Sequence, residues 1–157
     1  MIYILIRRMS IYSHNDIYLG FFNNYKDACD KKKEYIEYLK LNGDPYKEQL
    51  YFSVNLNNDI EIMEFDKNFN DSETIYCVIV YQEFLGQANI SIIDITNNIN
   101  ECKNIIENEE SLIDKNEEFT LIFMYFTMKI NELNIVKDWG KPSKENPLGK
   151  GFLFIQL

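Results

Sequence analysis

Basic residues, histidine, cysteine, proline and tryptophan are all scarce in this chain. Of its 157 residues only 16 are Lys or Arg, against 25 Asp or Glu, leaving a net charge of −9. Proteins that grip phosphates broadly draw most of that affinity from counterion release by basic side chains, so a general nucleic-acid coat is disfavoured. One histidine, His14, and three cysteines, Cys29, Cys77 and Cys102, with no C-x-x-C among them, supply no ligand set for a structural zinc. The cysteines sit in apolar-periodic segments and read as buried thiols in a reducing compartment. No G-x-x-x-x-G-K-S/T and no G-x-G-x-x-G occurs, so the common phosphate-cradling loops are missing. Long apolar runs are missing as well. Met1–Ile6 and Leu121–Phe126 fall well short of the ~20 residues a bilayer-spanning helix requires.

The first eight residues lack a basic stretch before their apolar run and lack a small-residue cleavage site, so they read as a strand rather than a signal peptide. The expectation is a cytoplasmic protein without a membrane segment. In that setting the sequons Asn70-Asp71-Ser72 and Asn89-Ile90-Ser91 carry no meaning.

What is present is apolar and aromatic. Apolar residues make up 46% of the chain, with 22 Ile, 11 Phe and 11 Tyr, too many for a solvated coil. A chain of this length buries roughly 68–70% of its unfolded surface and needs no metal or disulfide to fold.

The sequence also repeats itself. Ile2-Tyr3 recurs as Ile75-Tyr76, and Cys29 as Cys102, both at an offset of 73. Tyr51–Asn57 recurs as Tyr125–Asn131 at an offset of 74, which one inserted residue between helix and strand would explain. The order of elements matches too. Ile2–Met9 and Ile17–Phe22 alternate as strands around the turn-forming Ser13-His14-Asn15-Asp16. Asn23-Asn24 can cap a helix from Tyr25 to about Leu41, closed by Asn42-Gly43, with an inner face of Tyr25, Ala28, Cys29, Ile36 and Leu39. A strand at Leu50–Leu56, a hairpin turn at Asn57-Asn58 and a strand at Asp59–Phe65 follow. The second copy reads Thr74–Phe84, a turn at Leu85–Ala88, Ile90–Ile95, a helix to about Ile113, Phe119–Ile130 and Leu133–Trp139. The fold expected is α+β: two tandem ββαββ repeats, mostly antiparallel, with one helix each. The repeats span residues 1–66 and 74–139, with a joint at 67–73, and form one pseudo-symmetric unit. Residues 140–157 add a Lys/Pro/Gly loop and a terminal strand.

Alternation divides the strands into faces. Leu50, Phe52, Val54 and Leu56, with Met124, Phe126, Met128 and Ile130, form the set expected to face the helices. The opposite face carries Tyr3, Tyr51, Tyr76, Phe123 and Tyr125, with Leu5, Val78 and Val80. Such a face is either buried within the chain, the favoured reading, or a candidate interface, since tyrosine combines an apolar ring with a polar tip.

Sites for chemistry are few. His14, at a hairpin tip, is badly placed to activate a nucleophile. Asp59, Glu61, Glu64 and Asp66 on one strand, and Glu107, Glu109 and Glu110 on the second helix, read as solvated faces; serving Mg²⁺ would need further ligands that nothing indicates. No catalytic, cofactor or metal residue is assigned. One segment departs from the acidic trend: Trp139–Gly151 holds the only Trp with Lys141, Lys144 and Lys150, two of three Pro and three of six Gly. A stiff loop of this kind is a connector, or else it holds phosphates and stacks a base.

The usage, with 14 Lys to 2 Arg and abundant Ile, Asn, Tyr and Phe, is that of an AT-rich genome. Together with Leu19-Gly20-Phe21-Phe22-Asn23-Asn24-Tyr25-Lys26-Asp27-Ala28 and Asp44-Pro45-Tyr46…Tyr51-Phe52-Ser53-Val54, it resembles small uncharacterised proteins of giant DNA viruses of the mimivirus type. The resemblance covers about the first 65 residues and, through the repeat, the second copy. It brings no activity and no functional residue; a viral origin would place the protein in the host cytoplasm or virus factory, acting on a host or viral protein. The function expected is a non-enzymatic protein-binding or assembly module, with homo-oligomerisation open. The alternative is a nucleotide or RNA binder using the Trp139–Lys150 loop.

Overall fold

A computed structural model of the chain describes residues 1–8, 17–44, 55–84, 87–114 and 120–134. Within them the chain forms β1 (Ile2–Arg7), β2 (Ile17–Phe22), α1 (Tyr25–Asn42), a helical turn α2 (Leu56–Asp59), β3 (Ile60–Phe65), β4 (Thr74–Phe84), β5 (Gln87–Thr96), α3 (Ile99–Ser111) and β6 (Thr120–Lys129). Two three-stranded antiparallel sheets result, ordered β2-β1-β3 and β5-β4-β6. The fold is α+β, with one long helix in each half.

The halves share fine detail. In β1/β2 the register shifts between Leu5 and Ile6, leaving Leu19 as the extra residue, and in β4/β5 it shifts between Val78 and Ile79, leaving Ile93. Leu5 and Val78 are 73 positions apart, while Leu19 and Ile93 are 74 apart. A bulge at equivalent places in two hairpins is a local feature that a chance resemblance would not reproduce. Both helices then start from an asparagine cap. The Asn24 side chain accepts from Lys26 N at 2.7 Å, and that of Asn98 from Asn100 N at 2.9 Å. The caps satisfy backbone donors that have no partner within the helix.

This register corrects three sequence expectations. The extra residue of the second copy enters within the first hairpin, so the caps set Ala28, not Cys29, over Cys102. The first-turn bonds agree, with Ala28 N donating to Asn24 O and Cys102 N to Asn98 O. Second, Asn57-Asn58 is no hairpin turn but part of α2, which also takes Leu56 out of the expected strand; Leu50–Val54 lie outside the described residues. Third, the strand that pairs with β1 is β3. Met63 faces Ile4 as Phe126 faces Cys77, so Met63, not Phe52, stands over Phe126. A strand's place is set by its hydrogen-bonded neighbour, and similarity between Tyr51–Asn57 and Tyr125–Asn131 does not override that.

The layers run helix, sheet, sheet, helix. Ile2, Ile4 and Ile6 of β1 and Phe21 of β2 turn toward the second sheet and meet Cys77, Ile79, Met124, Phe126 and Met128 in a shared core. Tyr18 stacks on Phe126 with centroids 5.6 Å apart, and Phe21 lies 6.4 Å from the same ring. On the outer side of the second sheet, Val78, Phe123 and Tyr125 pack on Cys102 and Ile106 of α3. Met124, Phe126 and Met128, expected under a helix, are therefore the sheet-to-sheet residues. The tyrosine-bearing face is the one beneath the helices.

Both halves are stitched together at β2. Beyond β6 the chain crosses to the first sheet, where Leu133 pairs with Gly20, Asn131 N donates to Phe21 O and Asn134 N to Leu19 O. Leu133, expected to open a strand after the turn of β6, instead covers the edge of β2, and residues 135–139 lie outside the described residues. Gly20 is required there. A Cβ would sit 2.8 Å from Glu132 O and 2.7 Å from the Phe22 ring. Asn131, at φ 64, is held by its side chain, which accepts from Asn23 N and donates to Asp71.

Candidate functional site

Among the sites named from sequence, Trp139, Lys141, Lys144, Lys150, Tyr51 and His14 lie outside the described residues. The rest of the aromatic face is inside the chain. Phe123 and Tyr125 are buried beneath α3, and half-buried Tyr76 meets Tyr125 edge-on at 5.9 Å. Half-buried Tyr3 lies edge-on to Tyr25 at 5.5 Å under α1. A partner cannot reach Phe123 or Tyr125 without displacing α3. Tyr25, expected inward, is exposed, while Tyr35 takes the inner position beside Ile36 and Leu39. Among the described residues no three His, Cys, Asp or Glu side chains group closely enough to hold a metal ion.

One buried charge has no counterpart in the sequence reading. Arg7, fully buried between β1 and α1, makes a two-pronged pair with Asp44 at 2.8 and 2.5 Å. Asp44 reaches it because Gly43, at φ 83, turns the chain sharply after α1. Burial pulls the guanidinium pKa down, but Asp44 outweighs it and the net shift is up. The Tyr35 phenol lies beside Arg7, and burial pushes its pKa up despite that cation. The signal in the sequence is a charged residue at the end of an otherwise apolar strand.

Among the described residues, a cleft where the sheets part between β3 and β5 has the shape of a binding site. Ile6, Arg8, Tyr18, Met63, Phe65, Ile90, Ser91 and Ile92 line it; it is open to solvent on one side and has a volume of about 270 Å³. At two of its positions the side chains are smaller than their equivalents in the other half. Met63 stands where Phe126 stands, and Ile92 where Tyr18 stands; the larger pair closes its own space by stacking. At the rim Arg8 pairs with Glu61 at 3.1 Å, and its backbone N donates to Asp59 O.

β3 forms the outer wall of this cleft and one edge of its sheet. Because Arg8 and Asp59 form a hydrogen-bonded pair, alternation along the ladder points the N–H groups of Ile60, Ile62 and Glu64 away from β1. No described residue pairs with that outer edge. Its exposed side chains are acidic at Glu61 and Glu64, and Met63 is 36% exposed.

Compared with known proteins, the chain matches no family model, no curated protein and no solved structure. No helix among the described residues is long and apolar enough to cross a membrane.

Proposed function

We propose that the chain is a non-enzymatic protein-binding module, and that its partner adds a strand to the outer edge of β3. The observation that carries this reading is that edge: outward N–H groups at Ile60, Ile62 and Glu64, with no pairing among the described residues. Exposed edges are templates for strand addition, in which main-chain bonds give affinity and pockets for alternate side chains give specificity. Glu61 and Glu64 favour a basic partner and oppose self-pairing, because two antiparallel copies of β3 would bring like charges across from each other. A viral origin would make that partner a host or viral protein in the cytoplasm.

The test is capture from the native cell with the full chain, followed by mass spectrometry, beside a Glu64→Pro variant. Proline at Glu64 removes an outward N–H and no ladder bond, so the fold should persist. One stoichiometric protein that is captured by the native chain and lost with Glu64→Pro is the result expected. Co-purifying RNA or nucleotide, or capture indifferent to Glu64→Pro, would overturn the reading.

A further inference from the structure

We propose that the cleft between β3 and β5 receives an aromatic side chain of the partner, carried on a basic strand that pairs with β3. This rests on the edge reading above and names what would make the contact specific.

The other half supplies the template. Where Phe126 and Tyr18 occupy the equivalent positions, the space between the sheets is filled by rings stacked at an interplanar angle of 15°, with Phe21 beside them. Met63 and Ile92 replace two of those rings and leave about 270 Å³. An apolar cavity of about 150 Å³ already holds a benzene ring, so one phenyl or phenol group fits with room to spare. The lining suits a ring. Met63 offers a polarizable thioether for sulfur–aromatic contact, and Tyr18 and Phe65 offer ring faces and edges. Met63 lies on the cleft side of β3, so alternate side chains of a strand paired outside β3 would project toward the same cleft.

Charge sets the rest of the partner. Asp59, Glu61, Glu64 and Asp66 follow one another along β3 and its ends, and Arg8, the cation on the cleft wall, is already engaged with Glu61. Glu61 shares the cleft side with Met63, whereas Glu64 lies on the opposite face of β3, where the residues flanking an inward aromatic side chain on an added strand also point, so lysine or arginine there complements it.

The experiment uses the full chain with labelled Met and Ile methyls and three synthetic peptides. One alternates Lys and Phe, a second alternates Lys and Leu, and a third alternates Glu and Phe. The Lys/Phe peptide should shift the Met63 and Ile92 methyl signals saturably, leaving Met128, on the far side of the core, in place. The Lys/Leu peptide should bind roughly tenfold more weakly, and the Glu/Phe peptide should not bind. Met63→Phe, which supplies the ring from within, should weaken the Lys/Phe peptide roughly tenfold without lowering the denaturation midpoint. Ile92→Tyr, which copies the ring of Tyr18, is the second cleft-filling variant should Met63→Phe fold poorly. No shift at Met63, equal binding of the Leu or Glu peptides, or full binding by both filled variants would overturn the proposal. Glu64→Pro separates it from the edge reading. Binding lost with Glu64→Pro but untouched by the filled variants leaves the edge standing and removes the cleft; the converse shows a ring entering without a strand, which overturns both statements as made.

Discussion

Tyr18 of the first half and Phe126 of the second lie nearly parallel, 5.6 Å apart, and this stack is the central contact between the sheets. Phe126 is almost fully buried and touches Phe21 as well. Phe126→Ala should therefore cost about 3–5 kcal/mol, read from chemical denaturation. Met63→Ala, at the equivalent but partly exposed position, should cost clearly less. Equal losses would mean that the two positions are equally packed.

Arg7 gives a second expectation. Asp44→Ala would leave a buried guanidinium without its carboxylate, a change that costs about 3–5 kcal/mol in comparable pairs. Replacing both, with Arg7→Met and Asp44→Ala, should recover much of that loss, since an apolar pairing avoids the desolvation of two charges. A double variant as unstable as Asp44→Ala would show that the methionine cannot fill the space.

Thiol chemistry should separate the three cysteines. Cys77 and Cys102 are buried and Cys29 half-buried. Burial raises the Cys102 pKa to about 11 and that of Cys77 well above its ordinary value. A thiolate-seeking reagent at pH 8 should label Cys29 first, and all three only after denaturation.

The same shifts fix a pH dependence. Folding holds the Cys102 proton, so this contribution is intact below the ordinary thiol value of 9.0 and is lost as pH rises toward about 11. Burial raises the Tyr35 and Tyr125 phenols in the same sense. The urea midpoint should fall from pH 8 to pH 11, and Cys102→Ala should flatten part of that slope. A rising midpoint would contradict the burial of these groups.

Gly20→Ala should lower stability by about 1–3 kcal/mol, because the added methyl meets Glu132 O and the Phe22 ring. Amide exchange should quicken at Asn131 and Asn134, whose N–H groups bond to β2. Unchanged protection there would mean that the crossing segment yields without loss.

For the Trp139–Lys150 segment, titrating mononucleotides and short RNA at low salt against the fluorescence of the single indole should give a flat response. Quenching that is lost with Trp139→Ala and weakened by salt would instead support base stacking with phosphate contacts.

Much of the architecture is legible in local residues. Thr74–Phe84 reads as a strand from its β-branched and aromatic run, and the caps at Asn24 and Asn98 announce both helices. What local reading cannot supply is which strand sits beside which. Phe65 and Met128 hold equivalent places opposite Ile2 and Ile75, although their neighbourhoods look unlike. Alternation separates Tyr125 from Phe126, but both faces of β6 are apolar, so period alone cannot say which meets a helix and which a sheet. The cleft depends on that register. Only with Met63 set over Phe126 does a missing ring become visible.

The crossing from β6 to β2 also sets an order in time. Asn23 and Asn131 are 108 positions apart, and among the described residues the outer edge of β2 is covered by residues 130–134, which come later. At about 5–20 residues per second, a ribosome needs on the order of 5–20 s to make them. Throughout that interval the nascent first half lacks that cover over an apolar strand edge, the kind of surface that chaperones hold and that other unfinished chains can capture. How that edge is sheltered during synthesis therefore bears on yield before the finished fold has any stability to defend.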